Sequence, residues 1–167
     1  MRWAKGAGLV LLGGYGVWGA FHPSWFGILD GANLLFHEAG HVLLSWLGEY
    51  WGIWGGTLFQ VFFPLGIAAG FLRQRQPVSA SVMVGWAGQN LFLVAAYIRD
   101  ARAQVLPRVG GEVHDWAYLL SRHRLLEQDQ RIGQGVWLLG LFIMLAACVY
   151  GLNALRRQKE QKVPAAL

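Results

Sequence analysis

Long apolar segments alternate with short polar connections along most of this 167-residue chain. A helix needs about 20 residues to cross the hydrocarbon core of a bilayer. Five apolar segments reach or approach that length, at residues 8–21, 28–47, 53–72, 80–98 and 136–155. The pattern therefore predicts an all-α fold, a polytopic bundle of about five transmembrane helices that forms one integral membrane domain over residues 1–167.

The one substantial polar segment is the loop 99–134. Within it, apolar residues recur at helical spacing, at Trp116, Leu119, Leu120 and Leu126. This spacing predicts a short amphipathic helix that lies in the membrane interface. Five crossings would place the N-terminus, the 48–52 connection and the 99–134 loop on the same side of the membrane.

The composition agrees with a membrane protein. Hydrophobic residues make up 55% of the chain and charged residues 14%, which is typical of an integral membrane protein rather than a soluble globule. The net charge of +5 does not indicate a nucleic-acid site, because the basic residues lie between and beyond the apolar segments. The single cysteine, Cys148, lies in a predicted span, so neither a disulfide nor a cysteine-based metal site is expected.

The second apolar segment contains a His-Glu-x-x-His motif formed by His37, Glu38 and His41. Residues four apart share one face of a helix, so the two imidazoles point to the same place, as two ligands of a zinc ion do. Glu38 is placed to take a proton from a metal-bound water. Two other interpretations are hydrogen-bonded core histidines and haem, but haem does not require the glutamate and usually takes histidines from two helices.

The same helix face carries further polar residues. Asn33, His37, His41 and Ser45 follow one another at four-residue steps. Lipid cannot satisfy such a stripe, so it must face a protein interior or a wet cavity. Ionisable residues inside an apolar segment are by default indications of function.

A catalytic zinc usually takes three protein ligands and one water. The candidates for the third ligand are His114, Asp100 and Asp115, of which His114 is favoured. Other roles stay open for each: a helix-end charge for Asp100, a helix N-cap for Asp115 and an ordinary loop position for His114. His114 and Asp115 could also supply a ligand and the carboxylate that orients it.

Three amides lie within the later apolar segments, at Gln60, Gln89 and Asn90. Gln60 fits a hydrogen bond between helices or a position along the substrate path, the former being favoured. Gln89 and Asn90 fit either a bridge between helices or a place beside the metal, where an amide could donate to an oxyanion.

The chain resembles the site-2-protease-like membrane metallopeptidases over roughly residues 30 to 100. The resemblance rests on three features: the motif within a membrane helix, a glycine pair soon after it, and a later segment where the family often carries a Gly-Pro-x-x-Asn-like turn. In this sequence they are His37-Glu38-Ala39-Gly40-His41, Gly55-Gly56 and Ala87-Gly88-Gln89-Asn90-Leu91.

The resemblance implies that His37 and His41 bind zinc, that Glu38 is the general base and that Asn90 contacts the substrate or the oxyanion. The family's third ligand is an aspartate in a downstream membrane segment, commonly in an Asn-Pro-Asp-Gly-like or Leu-Asp-Gly-like motif. This chain has no such motif. Asp100 is the nearest analogue, and His114 would be a departure.

The expected function is therefore hydrolysis of a peptide bond in or near the bilayer by a zinc-dependent enzyme. The expected partners are a membrane protein or peptide substrate and the lipid bilayer, without nucleic acid, and the expected location is a bacterial inner membrane. Two alternatives remain open: a zinc hydrolase that acts on a lipid amide, and a membrane protein that binds or regulates a partner without catalysis.

Overall fold

The computed structural model describes residues 2–22, 27–107 and 113–160. These residues form six α-helices, and two of the connections between them contain a 3₁₀ turn, at Ser45–Leu47 and Leu126–Gln128. The helices are α1 (Arg2–Phe21), α2 (Ile28–Leu44), α3 (Glu49–Arg73), α4 (Pro77–Arg99), α5 (Asp115–Arg122) and α6 (Asp129–Glu160). The predicted all-α fold is confirmed for this part of the chain, while residue 1, residues 23–26, part of the 99–134 loop (108–112) and the tail after 160 lie outside it.

Three helices in the described residues are long and apolar enough to cross a membrane. They comprise Glu49–Arg73, Pro77–Arg99 and Leu126–Gln158. Residues Gly6–Phe21 of α1 form a shorter apolar helix. This finding is compatible with a membrane protein.

Helix α4 lies at the centre of the bundle and is its most buried long helix. It packs antiparallel to α3 and to α6. Its close approach to α6 depends on small residues, because a Cβ on Gly88 would lie 2.9 Å from the carbonyl oxygen of Gly140. One end of the bundle, here called the α5 end, contains α5 together with the ends of α2 and α4 and the starts of α3 and α6.

Helix α1 runs parallel to α4. Near its start, Leu9 packs with Val78 of α4 and Ala154 of α6, and near its finish the indole Nε1 of Trp137 donates to the carbonyl oxygen of Ala20. The N-terminus of α1 therefore lies at the end of the bundle opposite α5. The prediction that it shares a side with the 48–52 connection is wrong.

The prediction for the N-terminus failed because α2 does not begin at an end of the bundle. The carboxylate of Asp30, in the first turn of α2, accepts hydrogen bonds from Tyr15 of α1 and from Gln89 of α4. Gln89 is the twelfth residue after Pro77, roughly 18 Å along α4 at 1.5 Å per residue. Helix α2 thus begins near the middle of the bundle, where the buried carboxylate finds polar partners, and runs parallel to α4 towards the α5 end.

Helices α2 and α3 touch through two glycines. A Cβ added at Gly40 would overlap the carbonyl group of Gly55, and a Cβ at Gly55 would overlap that of Gly40. Their backbones are therefore in direct contact at Gly40, which lies three residues after His37 and directly before His41. Substituting either glycine must move α2 away from α3.

We expect Gly40→Ala to destabilise the fold by about 1–3 kcal/mol or more, the usual cost of overpacking a close contact. Gly66→Ala is the matched control, because it lies on α3 with no atom within 4 Å of its added Cβ. There alanine should be neutral or stabilising by up to about 1 kcal/mol, through its helix propensity. Thermal unfolding in detergent compares the two variants, and equal midpoints would contradict the contact.

Candidate metal centre

The two motif histidines lie side by side on the face of α2 that meets α3. Their ring centroids are 4.7 Å apart and the rings are nearly perpendicular. One ligand atom each from His37, Glu38 and His41 lie within 4.8 Å of one another, so the three residues form a group that could hold a metal ion. The side chain of His37 is 10% exposed and that of His41 26%, so the group is open on the His41 side.

A carboxylate from α5 faces both histidines. Oδ2 of Asp115 lies 2.8 Å from Nε2 of His37 and 3.3 Å from Nε2 of His41. In a tetrahedral zinc site with bonds of about 2.0–2.1 Å, neighbouring ligand atoms are about 3.3 Å apart. Asp115, one of the two alternatives to His114, is thus the residue that the fold places opposite the motif.

The second nitrogen of each imidazole is bound to a carbonyl oxygen. Nδ1 of His37 lies 2.7 Å from Oε1 of Gln60, and Nδ1 of His41 lies 2.8 Å from the backbone oxygen of Gly52. A carbonyl oxygen only accepts, so each Nδ1 carries the proton and donates it. A neutral ring then keeps the lone pair on Nε2, the form that ligates a metal.

Two Nε2 atoms and a carboxylate oxygen converge on one point. They would repel one another unless a positive charge lies between them, on a proton or on a metal ion. Imidazole nitrogen and carboxylate oxygen are ligands that zinc commonly takes. The residues present therefore fit a zinc ion held by His37, His41 and Asp115.

The glycine after Gly55 leaves room for the imidazoles. A Cβ on Gly56 would lie 2.7 Å from Nε2 of His37 and 2.7 Å from Cε1 of His41. Any larger residue would therefore displace the nitrogens that face Asp115. The glycine pair thus serves both the contact between the two helices and the space around the site.

Helix α5 holds Asp115 in place by packing on the bundle. Trp116, Leu119 and Leu120 are buried in one cluster with Ile98 and Ala101, at the end of α4. The sequence predicted that this apolar face lies in the membrane interface, but the structure buries it against α3 and α4. Its burial fixes the first residue of the helix beside α2.

The ionisation of Asp115 suits a metal ligand. Burial alone raises the pKa of its carboxyl, but hydrogen bonds that Nε2 of His37 and of His41 donate when they carry a proton outweigh burial, so the pKa lies below its ordinary value. The group is therefore an anion at neutral pH. A carboxylate ligand must be deprotonated to bind a metal.

The residue favoured from sequence, His114, is hydrogen-bonded to groups other than the motif histidines. Its Nε2 lies 3.3 Å from Oδ2 of Asp100, and its Nδ1 accepts from the backbone N–H of Ala117. Asp100 itself accepts from the backbone N–H groups of Val105 and Leu106. The structure therefore gives both residues partners other than His37 and His41.

Gln89 and Asn90 also have partners outside the site. Gln89 bridges Asn33 and Asp30 of α2, accepting from the first and donating to the second. Asn90 is fully buried and donates to the carbonyl oxygen of Trp86, one turn earlier in α4, while its Oδ1 has no partner among the described residues. Gln89 therefore bridges α4 and α2, whereas the hydrogen bond of Asn90 lies within α4.

Gln60 makes the interhelical hydrogen bond expected of it, and its partner is His37. Neither this partner nor the carbonyl of Gly52 was identified from the sequence. The only sequence signal of the Gln60 contact was the presence of a glutamine in the apolar body of a predicted helix. The Gly52 contact left no sequence signal, because every residue has a backbone carbonyl.

Comparisons of the chain with protein-family models, with curated proteins and with solved structures gave no match. The function is therefore argued from the geometry of the site.

Proposed function

We propose that this protein is a membrane-embedded zinc metallopeptidase that hydrolyses peptide bonds in or near the bilayer. The observation that carries the proposal is the convergence of Nε2 of His37 and Nε2 of His41 on Oδ2 of Asp115, with both Nδ1 atoms donating to carbonyl oxygens. Glu38, next to the first of these histidines, completes the motif.

In this proposal His37, His41 and Asp115 hold the zinc. The ion supplies a Lewis acid for the scissile carbonyl and for water. Glu38 accepts a proton from the attacking water and delivers it to the leaving amine. Gln60 and the carbonyl of Gly52 keep both imidazoles in the tautomer that leaves Nε2 free to ligate.

The bundle supports a location in a membrane. Three helices are long enough to cross it, and α1 adds an apolar helix of 16 residues, from Gly6 to Phe21. Large apolar side chains on the outside of the bundle, such as Leu35, Val42 and Phe142, would face lipid. The site lies close to the α5 end, because Gly52 is in the first turn of α3.

The proposal is tested on the full chain purified in detergent. We expect about one zinc per chain, as for a single three-ligand site, together with cleavage of a membrane-spanning peptide in bicelles. A chelator should stop cleavage and added zinc should restore it. Finding no zinc after reconstitution would overturn the proposal. Cleavage of an acylamide lipid in place of the peptide would show instead that the protein is a zinc hydrolase that acts on lipid amides.

A further inference from the structure

Asp100 and His114 lie in the segment that leads to Asp115. Both were candidates for the third ligand, and both are hydrogen-bonded to groups outside the metal site. Asp100 is the C-cap of α4, and His114 is the N-cap of α5. Both are buried, with 6% and 3% of their surface exposed. A buried, hydrogen-bonded pair directly before a proposed ligand needs an explanation other than ligation.

The hydrogen bonds of His114 determine its tautomer. Its Nδ1 accepts from the backbone N–H of Ala117 at 3.2 Å, so in the neutral ring the proton is on Nε2. That N–H points at Oδ2 of Asp100, 3.3 Å away. One imidazole thereby caps the helix that begins with Asp115 and ties this helix to the end of α4.

Asp100 fixes the other side of the same loop. Its Oδ1 accepts from the N–H of Val105 at 2.9 Å, and its Oδ2 accepts from that of Leu106 at 3.1 Å. Together with His114 this gives the carboxylate three N–H donors. Asp100 therefore holds both described ends of the loop between α4 and α5.

Tyr97 joins this pair to Asp115 itself. Its ring lies against that of His114, with centroids 4.1 Å apart, and its hydroxyl oxygen accepts from the backbone N–H of Asp115 at 3.3 Å. The rings of Tyr97 and His37 also form an edge-to-face pair, with centroids 6.0 Å apart. One turn of α4 thus contacts both a motif histidine and the backbone of the residue opposite it.

We infer that Tyr97, Asp100 and His114 form a positioning clamp that sets Asp115 at the distance from His37 and His41 that a metal ion requires. The inference rests on the proposed function, since it assumes that Asp115 is the third ligand. The clamp does not touch the metal; it acts through the backbone and N-cap of α5. Loss of such an outer partner typically weakens metal binding by about 10–100-fold.

The test measures zinc affinity by competition with a chromophoric chelator, for the full chain in detergent, and the visible spectrum after replacement of zinc by Co²⁺. We expect His114→Ala and Asp100→Asn to bind zinc about 10–100-fold more weakly and to shift the Co²⁺ bands, while saturating zinc still gives full occupancy. His123→Ala is the matched control: this histidine caps the other end of α5, lies within hydrogen-bonding distance of Tyr50, and should leave both readouts unchanged.

Tyr97→Phe keeps the ring and removes one hydroxyl, so it remains informative if the His114 variant does not fold. Zinc affinities within twofold of wild type for Asp100→Asn and Tyr97→Phe would overturn the clamp, even if both variants were less stable. A wild-type protein without zinc would overturn the proposed function instead, so the two failures are distinguishable.

Discussion

Glu38→Gln is expected to lower peptide hydrolysis by about 10²–10⁴-fold, the range typical for loss of a general base or acid. Glutamine has nearly the shape of glutamate but cannot accept the proton of the attacking water at neutral pH. Zinc content should stay at the wild-type value, because His37, His41 and Asp115 hold the ion in the proposed site. The measurement pairs metal analysis with cleavage assays on the same detergent preparation.

Glu49→Gln is a suitable control for this variant. Glu49 is an exposed glutamate at the start of α3, where its carboxylate accepts from the hydroxyl of Tyr118. It lies at the same end of the bundle as the site but has no part in the proposed chemistry, so its turnover should match wild type. Full turnover by Glu38→Gln would exclude the mechanism even with zinc bound.

Asp115→Ala should weaken zinc binding by more than about 100-fold, beyond the loss expected for an outer partner of a ligand. The substitution removes the oxygen that faces both Nε2 atoms and the negative charge that offsets the ion. At the zinc concentration that fills the clamp variants, it should therefore remain partly empty. Asp115→Asn keeps the size of the side chain, so it separates the loss of charge from the loss of packing.

Glu127→Ala tests whether any carboxylate at this end would have the same effect. Glu127 is exposed and pairs with Arg102 at 2.9 Å. Its removal should leave the zinc content unchanged. If Asp115→Ala kept its zinc and His114→Ala lost it completely, the ligand favoured from sequence would be restored and the site described here would be wrong.

Much of the fold was predictable because its cause is local. The five apolar segments are long and bounded by polar residues, so the positions of α1, α2, α3, α4 and α6 followed from hydrophobic length. The short helix at α5 followed from its apolar spacing. The pairing of His37 and His41 on one face follows from the geometry of any helix.

Two features of the fold could not be obtained in this way. Hydrophobic length does not reveal that α2 begins beside Tyr15 and Gln89 rather than at the end of the bundle. The starting position of α2 depends on the buried carboxylate of Asp30, because its hydrogen-bond partners lie on α1 and α4. In the same way, spacing predicts an apolar face for α5, and tertiary packing decides that the face meets α4 rather than lipid.

The sequence by itself determined the helices, the two histidines with their glutamate, and a short set of candidates for the third ligand. Those properties depend on residues close together in the chain, for which spacing fixes geometry. That Asp115, rather than His114 or Asp100, faces the two histidines was decided by tertiary structure alone. The N-cap hydrogen bond of His114 holds its ring at the end of α4. The carboxylate of the next residue, Asp115, then faces His37 of α2, which is 78 residues earlier in the chain.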